Sequence, residues 1–162
     1  MIEQSEPLLG VVFAPALGEI YLEGRGLGAW RGHQQMQVPL APKGRSIACR
    51  MAVSRFHDHS DVDLFAVSNR ITERVAVGSA LKYSHLAAGD VDVFLRLVGC
   101  SEWDTAAGQA VLEAAGGQVL NWHTGLPFHY GKPNRRNPRL LSIRAPYCRE
   151  EFQLKDYEPE LL

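Results

Sequence analysis

Asp104 stands between Trp103 and the small-residue run Thr105-Ala106-Ala107-Gly108, which leads into Gln109-Ala110-Val111-Leu112-Glu113-Ala114-Ala115. A carboxylate at the mouth of a helix has two uses. It caps the helix, because the unpaired N–H groups and the positive end of the macrodipole both favour an anion there. Alternatively it points outward as a hard oxygen ligand for Mg²⁺, which takes one or two protein carboxylates and fills its shell with water and substrate phosphate. In Gly78-Ser79-Ala80-Leu81-Lys82, glycine permits close backbone approach, Ser79 reads as a helix N-cap and Lys82 adds a point charge in the first turn. Free amides, dipole and ammonium together suit a phosphate, although a capped helix with a solvated lysine would read the same way. In Ser54-Arg55-Phe56-His57, Arg55 offers a planar fork for phosphate oxygens, and His57 offers a donor or a ring to stack on a purine. Both are also ordinary residues of an exposed loop.

Other charged stretches read as structure. The run His57-Asp58-His59-Ser60-Asp61-Val62-Asp63 lacks the glycine and terminal glutamate of a calcium loop and suits the acidic start of a solvated helix. Asp90 and Asp92 alternate with Val91 and Val93 and read as the polar face or turn of a strand. His123 and His129 flank the turn Thr124-Gly125-Leu126-Pro127 and have no evident catalytic partner. The basic stretch from Lys132 to Arg139 is rich in turn residues and reads as a solvated loop.

The elements that must position these groups fall into two parts. Leu8 to Ala14 and Glu19 to Glu23 read as strands of a hairpin, followed by the glycine turn Gly24-Arg25-Gly26-Leu27-Gly28 and closed by Ala29 to Gly32. Pro39 to Gly44 reads as a connection, which gives a boundary between 1–44 and 45–148. Beyond it, strands (Ser46–Val53, Arg74–Val77, Val91–Leu97, Gln118–Asn121, Arg139–Arg144) alternate with helices (Asp58–Val67, Ser79–Ala88, Asp104–Ala115). This order predicts the α/β class, a sheet with helices packed on it. Ligands of such sheets gather beyond the carboxyl ends of the strands, where three of the candidate segments fall. Residues 149–162 form a charged tail, docked as a short helix or frayed.

With 162 residues, 46% of them hydrophobic, and a net charge of −1, the chain is long enough for one packed domain. The near-neutral balance gives no electrostatic case for duplex nucleic acid. No apolar run approaches a membrane span and the N-terminus carries no signal pattern, so the expected location is cytoplasmic. Cys49, Cys100 and Cys148 are widely spaced with no C-x-x-C, as reduced thiols would be.

Four stretches carry a family resemblance: Leu9-Gly10-Val11-Val12-Phe13-Ala14-Pro15, Ser54-Arg55-Phe56-His57, Gly78-Ser79-Ala80-Leu81-Lys82-Tyr83, and Trp103-Asp104 with the Thr-Ala-Ala-Gly that follows. In order and spacing the chain resembles the inositol monophosphatase superfamily of Mg²⁺-dependent phosphomonoesterases, and within it the bacterial 3′(2′),5′-bisphosphate nucleotidases of the CysQ type. The resemblance implies a layered sugar-phosphatase-like fold, here a C-terminal αβα subdomain plus the last strands of an N-terminal one. It implies Mg²⁺ as cofactor with Asp104 as a ligand, a substrate wall of Arg55, His57, Gly78, Ser79, Lys82 and Asp104, and a phosphate or ribose contact from the loop at 132–139. The substrate implied is a nucleotide bisphosphate such as adenosine 3′,5′-bisphosphate; its sulfated relative, inositol phosphates and sugar bisphosphates stay open. Nothing in the chain matches the family's metal-binding Glu or its Asp-Pro-(Ile/Leu)-Asp-Gly-Thr loop, and Met1 falls at an internal point of the pattern. The expectation is a phosphatase polypeptide, either a mis-started, truncated fragment or one that works with a separately encoded N-terminal half or a second copy, or else a nucleotide-binding module without turnover.

Overall fold

Leu9–Ala14, Glu19–Gly24, Gly28–His33 and Met36–Leu40 pair in succession as an antiparallel meander. Alternation sets its two faces apart. Leu9, Val11 and Phe13 point outward and are exposed, whereas Gly10 faces the third helix, where a Cβ would lie 2.6 Å from the Ala107 carbonyl oxygen. The computed structural model describes residues 1–33, 36–55 and 60–153, with the backbone alone at 60 and 61.

In chain order the strands are β1 (Ile2–Glu3), β2 (Glu6–Pro7), β3 (Leu9–Ala14), β4 (Glu19–Gly24), β5 (Gly28–His33), β6 (Met36–Leu40), β7 (Arg50–Val53), β8 (Glu73–Ala76), β9 (Val93–Arg96), β10 (Cys100–Ser101), β11 (Gln118–Asn121), β12 (Arg136–Asn137) and β13 (Leu140–Ile143). The helices are α1 (Ser60–Ser68), α2 (Leu81–Ala88) and α3 (Ala106–Ala114). A five-stranded mixed sheet runs in the order β11-β13-β9-β7-β8, parallel across β8, β7 and β9 and antiparallel at β13 and β11. The helices α2 and α3 lie between the meander and this sheet, and α1 covers the sheet's other face. The α/β class and the αβα arrangement expected for the larger part are therefore present.

Successive residues feed two cores. Ala52, Phe94 and Leu140 face α2 and α3, while Met51, Val93, Leu95 and Leu141 face Phe65 and Ala66 of α1. Tyr21 and Ala29 of the meander share the first core with Leu86, Val111 and Leu112. The helices cross at Gly108, where a Cβ would come within 2.4 Å of the Tyr83 ring.

Several expectations need correction. Pro39 lies inside β6, paired with Trp30, and does not begin a connection; β6 is an edge strand, where the missing N–H costs no ladder bond. The strand expected from Ser46 starts at Arg50, because Ser46 turns to donate its hydroxyl to Asp92, 2.8 Å away. Asp92 is no solvated strand face. It is fully buried and accepts bonds from Arg144 (2.7 Å from Nε, 2.6 Å from Nη2) and from the Arg50 amide (2.7 Å). Arg144 also donates to the carbonyls of Lys43 and Gly44, so this pair ties the segment after β6 to the end of β13. In the tail, Arg149–Glu151 forms a 3₁₀ turn and Phe152 is buried in the second core; the rest, 154–162, lies outside the described residues.

Candidate functional site

Around β7 the chain reverses its direction of travel across the sheet. It leaves β7 through α1 to reach β8 on one side, then crosses through α2 to β9 on the other. Such a switch point opens a crevice beyond the carboxyl ends of the strands. Three segments end there: Val53 of β7 followed by Ser54 and Arg55, Ala76 of β8 followed by Gly78, Ser79 and the start of α2, and Arg96 at the end of β9.

Lys82 is the unusual group. Only 3% of it is exposed, yet no carboxylate pairs with it among the described residues. Its Nζ sits 5.1 Å over the Phe94 ring and makes one long bond, 3.4 Å, to the Ser79 carbonyl. Burial, with the Arg96 guanidinium adding repulsion, lowers its pKa to about 8. Arg96 is half-buried and among the described residues donates to the Val98 carbonyl alone, at 3.1 Å. Two neighbouring cations, neither in an ion pair among the described residues, attract an anion, and phosphate matches both the guanidinium fork and the ammonium.

The surroundings leave room for a ligand. A Cβ at Gly78 would meet nothing within 4 Å. Ser79 is exposed and does not cap α2, contrary to expectation. Ala80 occupies the cap position without a side-chain bond, and Ser79 itself has φ +48°, a left-handed conformation that non-glycine residues rarely hold outside functional turns. Arg55 is exposed and bonds to no other described residue. His57 lies outside the described residues, as does most of the acidic run around it; Asp63 pairs with Arg74 across a cavity of about 270 Å³ that Ser54, Phe94 and Arg96 also line.

Asp104 closes a 3₁₀ turn (Glu102–Asp104) ahead of α3, so the single helix expected from Asp104 is broken. Its Oδ2 accepts the Ser101 amide at 2.9 Å, and the Ser101 side chain answers by accepting the Asp104 amide. The carboxylate therefore caps the turn before it while the residue stays exposed. Arg96 and Asp104 both act electrostatically on Tyr83 and Cys100, which places them in one neighbourhood.

In the basic loop Pro133 to Arg136 are exposed, as expected of a solvated loop, while Lys132 is drawn down onto a carboxylate beneath it. Glu102, buried beneath it, takes Lys132 Nζ at 2.8 Å, Arg135 at 3.5 Å and the amides of Gly131 and Lys132. Burial alone would raise the Glu102 carboxyl, but the Lys132 ammonium and the two amides outweigh it and hold the carboxyl at about 2. Arg96 escaped the sequence reading because it follows an apolar strand and has no charged neighbour; its position at the end of that strand was the available signal.

Residues 1–147 match the model of the inositol monophosphatase family. This chain belongs to that family. It is 34% identical over 128 residues to the 3′(2′),5′-bisphosphate nucleotidase CysQ of Salmonella typhimurium, covering 75% of this chain and 49% of the relative. To the nucleotidase CysQ of Escherichia coli K12 it is 32% identical over 136 residues, covering 80% and 52%. The crystal structure of CysQ from Bacteroides thetaiotaomicron, a bacterial member of the inositol monophosphatase family, superposes with a TM-score of 0.79 at 24% identity, over 88% of this chain and 60% of that one. This family member thus spans about half the length of the curated relatives it matches.

No group of three or more His, Cys, Asp or Glu among the described residues, Asp104 included, could hold a metal ion. The donors present do not by themselves form a metal centre. Among the described residues no helix is long and apolar enough to cross a membrane.

Proposed function

We propose that this chain forms the substrate-phosphate wall of a phosphomonoesterase of the 3′(2′),5′-bisphosphate nucleotidase type, with adenosine 3′,5′-bisphosphate as its ligand. The observation that carries this reading is the buried Lys82, set beside Arg96 at the switch point and left without a carboxylate. An anion bound there recovers the interaction that Lys82 lost on leaving water. Arg96 forks onto phosphate oxygens, Ser79 and the open backbone at Gly78 supply further donors, and Arg55 guards the entrance. The nucleotidase activity of the CysQ relatives supports the choice of a nucleotide bisphosphate.

In this reading the chain binds and orients a phosphomonoester. A magnesium ion, when bound, would offset charge on the entering and leaving oxygens. Asp104 supplies one carboxylate toward it, and turnover requires carboxylates beyond this one.

The test is calorimetric titration of adenosine 3′,5′-bisphosphate into the chain, paired with phosphate release with and without Mg²⁺ and an Asp104→Asn control. Binding that weakens at least about tenfold in Lys82→Met supports the proposal. Equal binding by Lys82→Met rejects the assignment of the wall. Mg²⁺-dependent release that disappears in Asp104→Asn shows that a complete centre assembles.

A further inference from the structure

A cavity of about 490 Å³ lies at the junction of β2, β4, α3 and the loop through Phe128, and shares no lining residue with the Lys82–Arg96 site. Its walls are largely apolar, from Pro7, Ala110, Ala114, Leu120 and Phe128, but three carboxylates enter it: Glu6, Glu23 and Glu113. Glu23 is 5% exposed, and its Oε1 is buried with no hydrogen-bond partner. A buried carboxylate oxygen left unsatisfied is costly, and a bound cation would remove that cost.

The rim shows how much charge remains to be met. Arg25 pairs with Glu6 at 3.4 Å and donates to the Pro7 carbonyl at 3.0 Å, so the charge of Glu6 is offset. Glu113 accepts one neutral bond, from Gln109 Nε2 at 2.8 Å, and Glu23 has no ion-pair partner among the described residues. Burial raises the Glu23 carboxyl, outweighing the N-terminal ammonium, Arg25 and the Gly10 amide. Glu113 is exposed, and the water that it does lose pushes its carboxyl up to about 7, opposed by Gln109 and reinforced by Glu6 and Glu23. His129 also lines the cavity. These carboxylates are not gathered as metal ligands, since no described group of three could hold an ion. Two carboxylates on the wall of one largely apolar cavity fit two positive charges joined by an apolar stem.

We propose that this cavity binds a short aliphatic diammonium ion, with one ammonium on Glu23, the other on Glu113, and the methylenes against Ala110, Ala114 and Phe128. The proposal is independent of the phosphatase reading and concerns the opposite sign of charge.

The experiment is calorimetric titration of 1,4-diaminobutane into the whole chain at a pH about one unit above the Glu113 pKa, with propylamine and MgCl₂ in parallel at roughly physiological ionic strength, where surface charge is screened. Saturable one-to-one binding of the diamine is expected, weakened at least about tenfold for propylamine and for Glu23→Gln and Glu113→Gln. Glu113→Gln keeps an acceptor for Gln109 and so preserves the fold, which far-ultraviolet circular dichroism checks; it carries the test if Glu23→Gln does not fold. Absence of saturable binding, equal affinity in Glu113→Gln, or displacement of the diamine by stoichiometric Mg²⁺ would each overturn the proposal.

Discussion

Two buried charge clusters flank the same mixed sheet and are built on opposite plans. At one end Asp92 and Arg144 answer each other within 2.7 Å, and Ser46, the Arg50 amide and the carbonyls of Lys43 and Gly44 take up nearly all remaining bonding capacity. At the carboxyl ends of β7 and β9, Lys82 and Arg96 face each other with no anion. A buried charge that is paired and fully hydrogen-bonded holds the structure together, whereas one left unpaired either gives up its charge or takes a counter-ion from outside. Closure marks architecture, and imbalance marks a site.

The contrast breaks most readily at its balanced end. Asp92→Asn strands the Arg144 guanidinium and is expected to lower stability by about 3–5 kcal/mol, measured by urea unfolding. A loss below about 1 kcal/mol would show that closure is not what the pair contributes. The unbalanced end should respond with the opposite sign. Lys82→Met removes a buried charge without stranding a partner, so the chain is expected to gain roughly 1–3 kcal/mol at neutral pH while anion binding falls.

Titration sharpens the same point. With a folded pKa of about 8 against an ordinary 10.5, Lys82 has lost its proton in the native chain across a window where the unfolded chain still holds one. Stability therefore rises with pH between those values, by at most roughly 3 kcal/mol. Binding of an anion, which needs the charged ammonium, should weaken as pH passes about 8; affinity measured at intervals on both sides checks this, and Lys82→Met should flatten it. Glu102 runs the other way. Its carboxyl is held at about 2, so the stability that it contributes is present above the ordinary value of 4.5 and is lost as pH falls toward 2. Acid unfolding of Glu102→Gln should show a shallower decline. The smallest expected effect is Gly108→Ala, at about 1–3 kcal/mol from overpacking against Tyr83, read by thermal unfolding.

Local signals were legible in the sequence and long-range partners were not. Gln118–Asn121 is the strand expected, because the apolar pair Val119-Leu120 lies in a short window bounded by glycine and a turn. The positions of Gly78, Lys82 and Arg55 beyond strand ends follow from the β/α order. Asp92 was misread because Arg144, its partner, lies 52 residues away. Ser79 was misread because cap preference is a local statistic and the backbone there is left-handed. The exposed loop at 132–139 was legible from its turn residues but its anchor was not, because Glu102, which gathers Lys132 and Arg135, belongs to another segment. Glu23 and Glu113 carried no signal at all, since their meeting depends on β4 packing against α3.

The glycine at the crossing of α2 and α3 sets a distance as well as a contact. With no Cβ at Gly108, the Tyr83 ring seats on the backbone of α3 and the helices form one mechanical part. Lys82 rides on the first turn of α2, and Glu113 rides on the last turns of α3. The two helices therefore act as a ruler with opposite charges at its marks, and a ligand that displaced one mark would have to carry the other with it.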